Sequence, residues 1–467
     1  MTTLTFLGAT QQVTGSCYLI DTGKRRILLE CGMYQGELRP KTIPDKLFRF
    51  DPKKIDAVVL SHAHLDHSGL LPALTRQGFK GPIFATTPTS DLLAVMLKDA
   101  AYLQEKDVEW ENKKRNRSGK DPVLPLYEMD DVDKVLDLIE TIDYGQRTKV
   151  IEGIDLCFHD AGHIIGSAIV ELWIKDKAHS KKLVFSGDLG NSSSPLLRDP
   201  EIVQTADLLL LESTYGDRDH RPASETRDEL QQALTQAYKD GGNVYIPAFA
   251  VGRTQDIIFR LGQFYHKGEL KQQKVFLDSP MATSVSEIYT RYTGLYNKEH
   301  PEFNEAIREG GWKDWLPILS YTRSTEESMA LNTIVSGAII IAGSGMCTGG
   351  RIRHHLKHGL WRDRNHIIFV GFQARGTLGR ALVDGARQVR FMGEEFSVNA
   401  QIHTLGGFSA HAGQSQLLEW AGKFTDQRPV LYLVHGEVEK MLALQKMFHA
   451  RYGWYASIPD LGETITL

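Results

Sequence analysis

Cysteine is scarce in this 467-residue chain: Cys17, Cys31, Cys157 and Cys347 stand far apart, with no paired spacing for a disulfide framework or a cysteine-type zinc site. A reducing cytoplasm is therefore expected. No apolar run approaches the roughly 18 residues of a membrane span. MTTLTFLGAT also lacks the basic-then-apolar order of a signal peptide, so neither membrane nor secretion is expected. Positive charge is not in excess: 54 Lys and Arg against 58 Asp and Glu leave a net charge of −4, without the broad basic footprint of a dedicated nucleic-acid binder. A nucleic-acid substrate would have to be handled in a local groove. The composition, 42% hydrophobic and 24% charged, is that of an ordinary soluble protein long enough for two or three domains.

HAHLDH, residues 62 to 67, packs three imidazoles and a carboxylate directly behind the apolar run Ile55 to Leu60. Groups that polar cannot close behind a β-rich segment without partners, and a metal ion is the obvious one. In an extended segment His62 and His64 face the same way, while Asp66 and His67 turn away after them, so one face suits one ion and the turn a second. Imidazole with carboxylate suits Zn²⁺, and also accepts Mn²⁺ or Fe²⁺.

The first thirty residues alternate short β-type runs with turns and read as antiparallel sheet: Leu4 to Leu7, Ser16 to Ile20, Arg26 to Glu30. A helix is expected over 91 to 114, capped by Thr89 and Ser90, followed by the basic run KKRNRSGK (113 to 120), which reads first as a solvated loop and second as a phosphate contact. A second helix is expected over Asp131 to Glu140, then strands at 149 to 158, 167 to 174 and 181 to 186. After about residue 217, strands lead into helices at GNVYIPAF, KVFLDSP and GAIIIAGSGMCTGG, with HIIFVGF (366 to 372) as a further strand. Such units argue a parallel, doubly wound sheet in a separate domain. The polar and aromatic stretch 293 to 330 has no clear assignment.

Apolar runs repeatedly end in a polar residue: VVLSH at His62, LVFSGD at Asp188, LLLLES at Glu212, LYLVH at His435, and IDLCFHD leading to His163. Strand ends that converge in this way are where sheet-based enzymes place their chemistry. FSAHAG adds His411. GSGMCTGGR follows a strand and opens a helix, so the amides around Ser344 and Gly345, with Arg351, could cradle a phosphate, although the loop lacks the ending of a P-loop. Arg253 and Arg375 also follow strand ends and could clamp a phosphodiester. His354 and His355 read as packing or surface residues.

Taken in order, HxHxDH, a distant His, GD, LESTYG, FSAHAG and LVHGE resemble the motifs of the metallo-β-lactamase superfamily, and specifically its β-CASP nuclease branch, over nearly the whole chain. The resemblance implies an α/β fold: an αββα sandwich formed by residues 1–216 and 406–467, with a parallel-sheet β-CASP domain inserted at 217–405. It implies that His62, His64 and His163 bind one zinc, that Asp66, His67 and His435 bind the other, and that Asp188 bridges them. A histidine at 435 is similar to the RNA-processing members rather than the DNA-repair ones. Family members carry Asp where this chain has Glu30, a residue that supports a ligand rather than being one. The start at the first strand, without the RNA-binding extension of archaeal relatives, resembles the minimal bacterial form.

The expectation is hydrolysis of single-stranded RNA with two Zn²⁺ per chain, Asp66 or Asp188 orienting the water and His411 with Glu212 as the proton-donating pair. By resemblance the products carry 5′-phosphate and 3′-hydroxyl ends, and the insertion closes over the site as a lid. Self-association into a homo-oligomer is compatible with the sequence. Two other readings compete with this one: a hydrolase of a small ester, thioester or lactone, which needs neither the insertion nor His411, and a non-catalytic RNA-binding subunit, which tends to have lost ligands.

Overall fold

The computed structural model describes residues 1–34, 47–176, 179–192, 194–424 and 427–467. The chain divides into two compact units, the first made of Met1–Ser192, Asp199–Asp219 and His411–Leu467, the second of Ser193–Arg198 and His220–Ala410.

The first unit is built on two seven-stranded sheets. One runs in the order Thr464–Thr466, Thr3–Gly8, Cys17–Asp21, Arg26–Leu29, Ala57–Val59, Ile83–Ala85, Ile139–Thr141. It is antiparallel through Arg26–Leu29 and parallel from there to its edge. The other runs Ala456–Ser457, Val430–Val434, Leu208–Glu212, His179–Phe185, Ala168–Asp176, Ile154–Asp160, Thr148–Ile151. Alternation along TLTFLG turns Leu4 and Phe6 inward, into a core shared with Ile154, Leu156 and Phe158 of the second sheet. Leu208–Glu212 is buried along its whole length because it is covered on both faces. Leu208 and Leu210 join the core between the sheets, while Leu209 and Leu211 pack with Leu417, Met441, Leu444 and Phe448 from helices Gln414–Ala421 and Val438–Tyr452. Each such side chain contributes about 1.5–3 kcal/mol by leaving water.

Several boundaries differ from the sequence reading. The residues before Leu65 are irregular loop rather than extended strand, and Leu65–Ser68 is a helical turn whose Ser68 hydroxyl donates to the carbonyls of Ala63 (2.9 Å) and His64 (3.0 Å). The long helix is Thr87–Arg117, capped by Thr86 with Pro88 in its first turn, so KKRNR belongs to the helix rather than to a loop. The next helix is Met129–Asp137, started by a capping box of Glu128 and Asp131; past Leu138 the chain pairs as an edge strand instead.

The second unit holds a six-stranded sheet in the order Leu319–Tyr321, Lys274–Leu277, Ala338–Ala342, Val244–Pro247, His366–Phe369, Gln401–Thr404, with every pairing parallel, as the alternation of strands and helices led one to expect. A hairpin of Gln388–Phe391 and Glu394–Ser397 accompanies it. The unassigned stretch contains helices Pro301–Gly310, Trp312–Trp315 and Thr325–Leu331 and the edge strand Leu319–Tyr321. No helix among the described residues is long and apolar enough to cross a membrane.

Candidate metal centre

In the second sheet of the first unit, Ile154–Asp160, His179–Phe185, Leu208–Glu212 and Val430–Val434 all run in one direction. Their C-terminal ends therefore deliver His163, Asp188, Glu212 and His435 to one edge. Ala57–Val59 of the other sheet delivers His62 and His64 beside them. Close packing of these loops requires glycine: a Cβ on Gly190 would lie 2.1 Å from the Gly162 carbonyl oxygen and 2.9 Å from His163 N. His435 itself sits at φ +50°, its N–H donating to the Ala9 carbonyl at 2.8 Å.

Two of the donor groupings that lie within 4.8 Å stand side by side: His62, His64, His163 and Asp188 in one, Asp66, His67 and His435 in the other; Glu30 also groups with His62 and His67, and Glu212 with Asp188 and His435. In the first, His62 Nε2 stands 3.1 Å and His163 Nε2 3.3 Å from His64 Nδ1. The two oxygens of Asp188 divide between the groups. Oδ2 is 3.5 Å from His62 Nε2 and 3.6 Å from His163 Nε2, and Oδ1 is 3.4 Å from His67 Nε2 and 3.4 Å from His435 Nδ1. Asp188 Oδ1, His67 Nε2 and His435 Nε2 are buried and make no hydrogen bond. Orphaned buried atoms of this kind are rare in folded proteins, and a cation placed among them satisfies all three. The residues present thus fit a metal, with the nitrogen and oxygen donors that zinc accepts.

A layer behind the donors fixes their orientation. The fully buried Glu30 carboxylate accepts from Ser61 N (2.6 Å), from Ser61 Oγ (3.0 Å) and from His67 Nδ1, which turns His67 Nε2 toward the centre. Ser61 Oγ also pairs with His62 Nδ1 at 2.9 Å, and Thr214 Oγ1 with His435 Nδ1 at 3.2 Å. Ser61 and Thr214 are the residues that sequence reasoning missed. The only signal they leave is a hydroxyl residue next to a strand-end motif.

Protonation follows from this crowding. Burial pushes Glu30 above, and His62 and His64 below, their ordinary ranges. Burial also opposes charge on His67, but Asp188 and Glu30 outweigh it and hold the imidazolium well above its usual range. Asp66 overcomes burial through His435 and His67 and is held down at about 2, and Asp188 is lowered by His435, His67 and His411.

Beside this group, His411 Nδ1 pairs with both oxygens of Glu212, at 3.2 and 3.3 Å. Glu212 is wholly buried and fixed by the Leu189 N–H donating to Oε1 at 2.6 Å. Burial lowers the His411 pKa, but Glu212 and Asp188 raise it further, to about 9. Its ring lies 4.5 Å from that of His163.

The remaining sequence candidates lie in the second unit. Ser344 Oγ bonds Gly349 N at 3.1 Å and closes its own loop. A Cβ on Gly345 would strike the exposed Phe249 ring at 2.8 Å. Arg351 turns inward: Nη1 donates to Asp278 Oδ1 (2.7 Å) and the Thr322 carbonyl, and Nη2 to the Arg323 carbonyl. The same buried Asp278 takes His355 Nε2 at 2.5 Å, so His355 is a packing residue, as expected. The Arg253 guanidinium lies 3.4 Å from Asp256 and over the Phe408 ring, and Arg375 is exposed. A further grouping in the first unit, Cys157, His159 and Glu171, is satisfied without an ion: His159 bridges Glu171 (2.7 Å) and Glu201 (3.1 Å), and Lys182 neutralises Glu171 at 2.5 Å.

Two facing sheets with convergent imidazoles and carboxylates at their strand ends define a metal-dependent hydrolase. Three family models match the chain in succession: a metallo-β-lactamase superfamily domain over residues 19–211, a β-CASP domain over 254–382 and a Zn-dependent metallo-hydrolase RNA specificity domain over 395–459. Ribonuclease TTHA0252 of Thermus thermophilus is 40% identical over 459 residues, 98% of each chain. Transcription termination factor FttA of Pyrococcus abyssi is 33% identical, over 99% of this chain and 71% of that one. A crystal structure of a protein of unknown function from Enterococcus faecalis V583 matches 100% of both chains with a TM-score of 0.56 at 15% identity, a likeness of fold alone. The chain belongs to the β-CASP family of the metallo-β-lactamase superfamily.

Proposed function

We propose that this chain is a ribonuclease that hydrolyses phosphodiester bonds of single-stranded RNA with two zinc ions. His62, His64 and His163 would hold one ion and Asp66, His67 and His435 the other, with the Asp188 carboxylate available to both. The observation that carries the reading is the division of the Asp188 oxygens between two donor groups, the second of which leaves Asp188 Oδ1, His67 Nε2 and His435 Nε2 unsatisfied. The RNA specificity domain and the relative named a ribonuclease support RNA as the substrate. The domain reading goes with it: residues 1–216 and 406–467 form the metallo-β-lactamase domain and 217–405 the insertion, acting in the cytoplasm.

Bound there, zinc lowers the pKa of a water and neutralises charge on the scissile phosphate. The chain supplies the rest. Asp66, its acidity strengthened by His435 and His67, is an anion at neutral pH and orients the water by accepting its hydrogen bond. His411 holds a proton at neutral pH because Glu212 faces its Nδ1, and gives it to the departing ribose oxygen. Glu212 touches no reacting atom on this reading; it positions His411.

The test compares zinc-replete wild type with His411→Ala on end-labelled single-stranded RNA, with zinc per chain counted in parallel. The expected result is cleavage slowed on the order of 10²–10⁴-fold at unchanged zinc content. No cleavage by zinc-replete wild type, together with turnover of a thioester, overturns the assignment.

A further inference from the structure

The helix Thr87–Arg117 extends beyond what its packing requires. Its 31 residues span roughly 45 Å. The near end is anchored at the metal centre, where the hydroxyls of Thr86 and Thr89 donate to the carbonyl of Gly166, at 2.7 and 2.8 Å, in the loop that presents His163. Leu92, Leu93, Met96, Leu97, Ala100, Ala101 and Gln104 bury the first half, and beyond Gln104 no residue of the helix is buried.

That outer half gathers its aromatic rings and four of its cations on one side, where Lys106 and Lys113 both pair with the exposed Glu109 at the border, at 3.0 and 2.8 Å, while Lys114 lies over the Trp110 ring. At about 100° per residue, Tyr102, Leu103, Lys106, Trp110, Lys113, Lys114 and Arg117 fall within one third of the circumference. No carboxylate of the outer half lies in that sector, although Glu105, Asp107, Glu109 and Glu111 flank it. Tyr102 is 53% and Trp110 66% exposed, so both rings are open to a ligand. Cations alternate with them: Lys106 Nζ is 5.9 Å from the Tyr102 ring centre and Lys114 Nζ 4.7 Å from that of Trp110. The other side of the helix borders a groove whose lining includes Glu105, Glu128 and Asp130, which disfavours a polyanion there.

We propose that this face of the helix is a track for single-stranded RNA, a binding site outside the metal centre that holds the flanking part of a long substrate. Tyr102 and Trp110 stack on bases, and Lys106, Lys113, Lys114 and Arg117 meet phosphates. The inference rests on the ribonuclease reading. It commits to RNA because aromatic faces interleaved with cations are what a single strand needs. An apolar protein partner would instead need a continuous apolar strip. In a chain of net charge −4 such a face is a local exception.

The test uses full-length, zinc-replete protein, the double variant Tyr102→Ala/Trp110→Ala, the quadruple variant with Lys106, Lys113, Lys114 and Arg117 changed to Gln, and Trp110→Phe as the conservative control. Cleavage of a long and a very short single-stranded RNA is measured, with fluorescence anisotropy of the long RNA at several salt concentrations. The double variant is expected to raise KM for the long RNA on the order of 10-fold with kcat and the short substrate unchanged, and Trp110→Phe to behave as wild type. The quadruple variant is expected to flatten the log–log salt dependence of binding by about 3. Long-RNA binding and salt slope equal to wild type in both multiple variants overturn the track, as does an equal loss on short and long RNA, which would mark a structural effect on the His163 loop. If wild type cleaves no RNA, the ribonuclease reading fails while the anisotropy series still decides the track.

Discussion

Asp188 and Glu30 carry most of the consequences at the scale of single residues. Asp188 reaches both donor groups with one carboxylate, so Asp188→Asn, which keeps the shape and removes the charge, should cost both ions rather than one; zinc counted per chain after dialysis checks this. Glu30 works one bond further out, through His67 Nδ1. Glu30→Gln should weaken zinc about 10–100-fold, measured by competition with a chromogenic chelator; unchanged affinity would mean that Ser61 alone orients the site. Away from the centre, His159 gives a pH signature of stability. Cys157, Glu171 and Glu201 raise its pKa from 6.5 to about 11. A raised folded pKa stabilises fully below 6.5, and the gain is lost as pH rises toward 11. The difference in urea midpoint between wild type and His159→Gln should therefore be largest below pH 6.5 and shrink steadily above it. A difference constant from pH 6 to 10 would contradict that assignment.

Among the elements, the parallel strand ends of the second sheet matter most, because they convert four separate sequence positions into one edge. Gly190 is where two of those ends meet. Gly190→Ala should displace the Gly162–His163 loop and cost about 1–3 kcal/mol in urea unfolding, with zinc loss alongside. These ends were legible in the sequence because an apolar run that stops at His, Asp or Glu leaves a plain pattern, and the alternation of strands and helices likewise marked the second sheet. Other features were hidden for physical reasons. His62 and His64 read as an extended pair but lie in irregular loop, because the Ser68 hydroxyl of the following helical turn reaches back to the Ala63 and His64 carbonyls. Thr86 rather than Thr89 caps the long helix, since Pro88 fits its first turn. Arg351 looked outward in the sequence and is claimed by Asp278, a pairing across 73 positions that no local pattern records. Ser61 and Thr214 hold ring nitrogens through single hydroxyls, which have no characteristic spacing.

On the scale of the whole molecule, the proposed zinc ions would couple to folding through the unsatisfied donors. Zinc at about a hundredfold excess over its Kd should add about 2.7 kcal/mol per site, so EDTA should lower the melting temperature and returned zinc restore it. The net charge of −4 places RNA binding on local groups, so it should fall steeply with salt while stability does not. The most direct measurement strips the metal from wild type and Asp188→Asn, returns zinc, and follows zinc per chain and hydrolysis of single-stranded RNA in the same samples. Wild type should regain two zinc ions and RNA cleavage together, and Asp188→Asn neither. Cleavage by the zinc-free protein, or full cleavage by Asp188→Asn, would contradict the account.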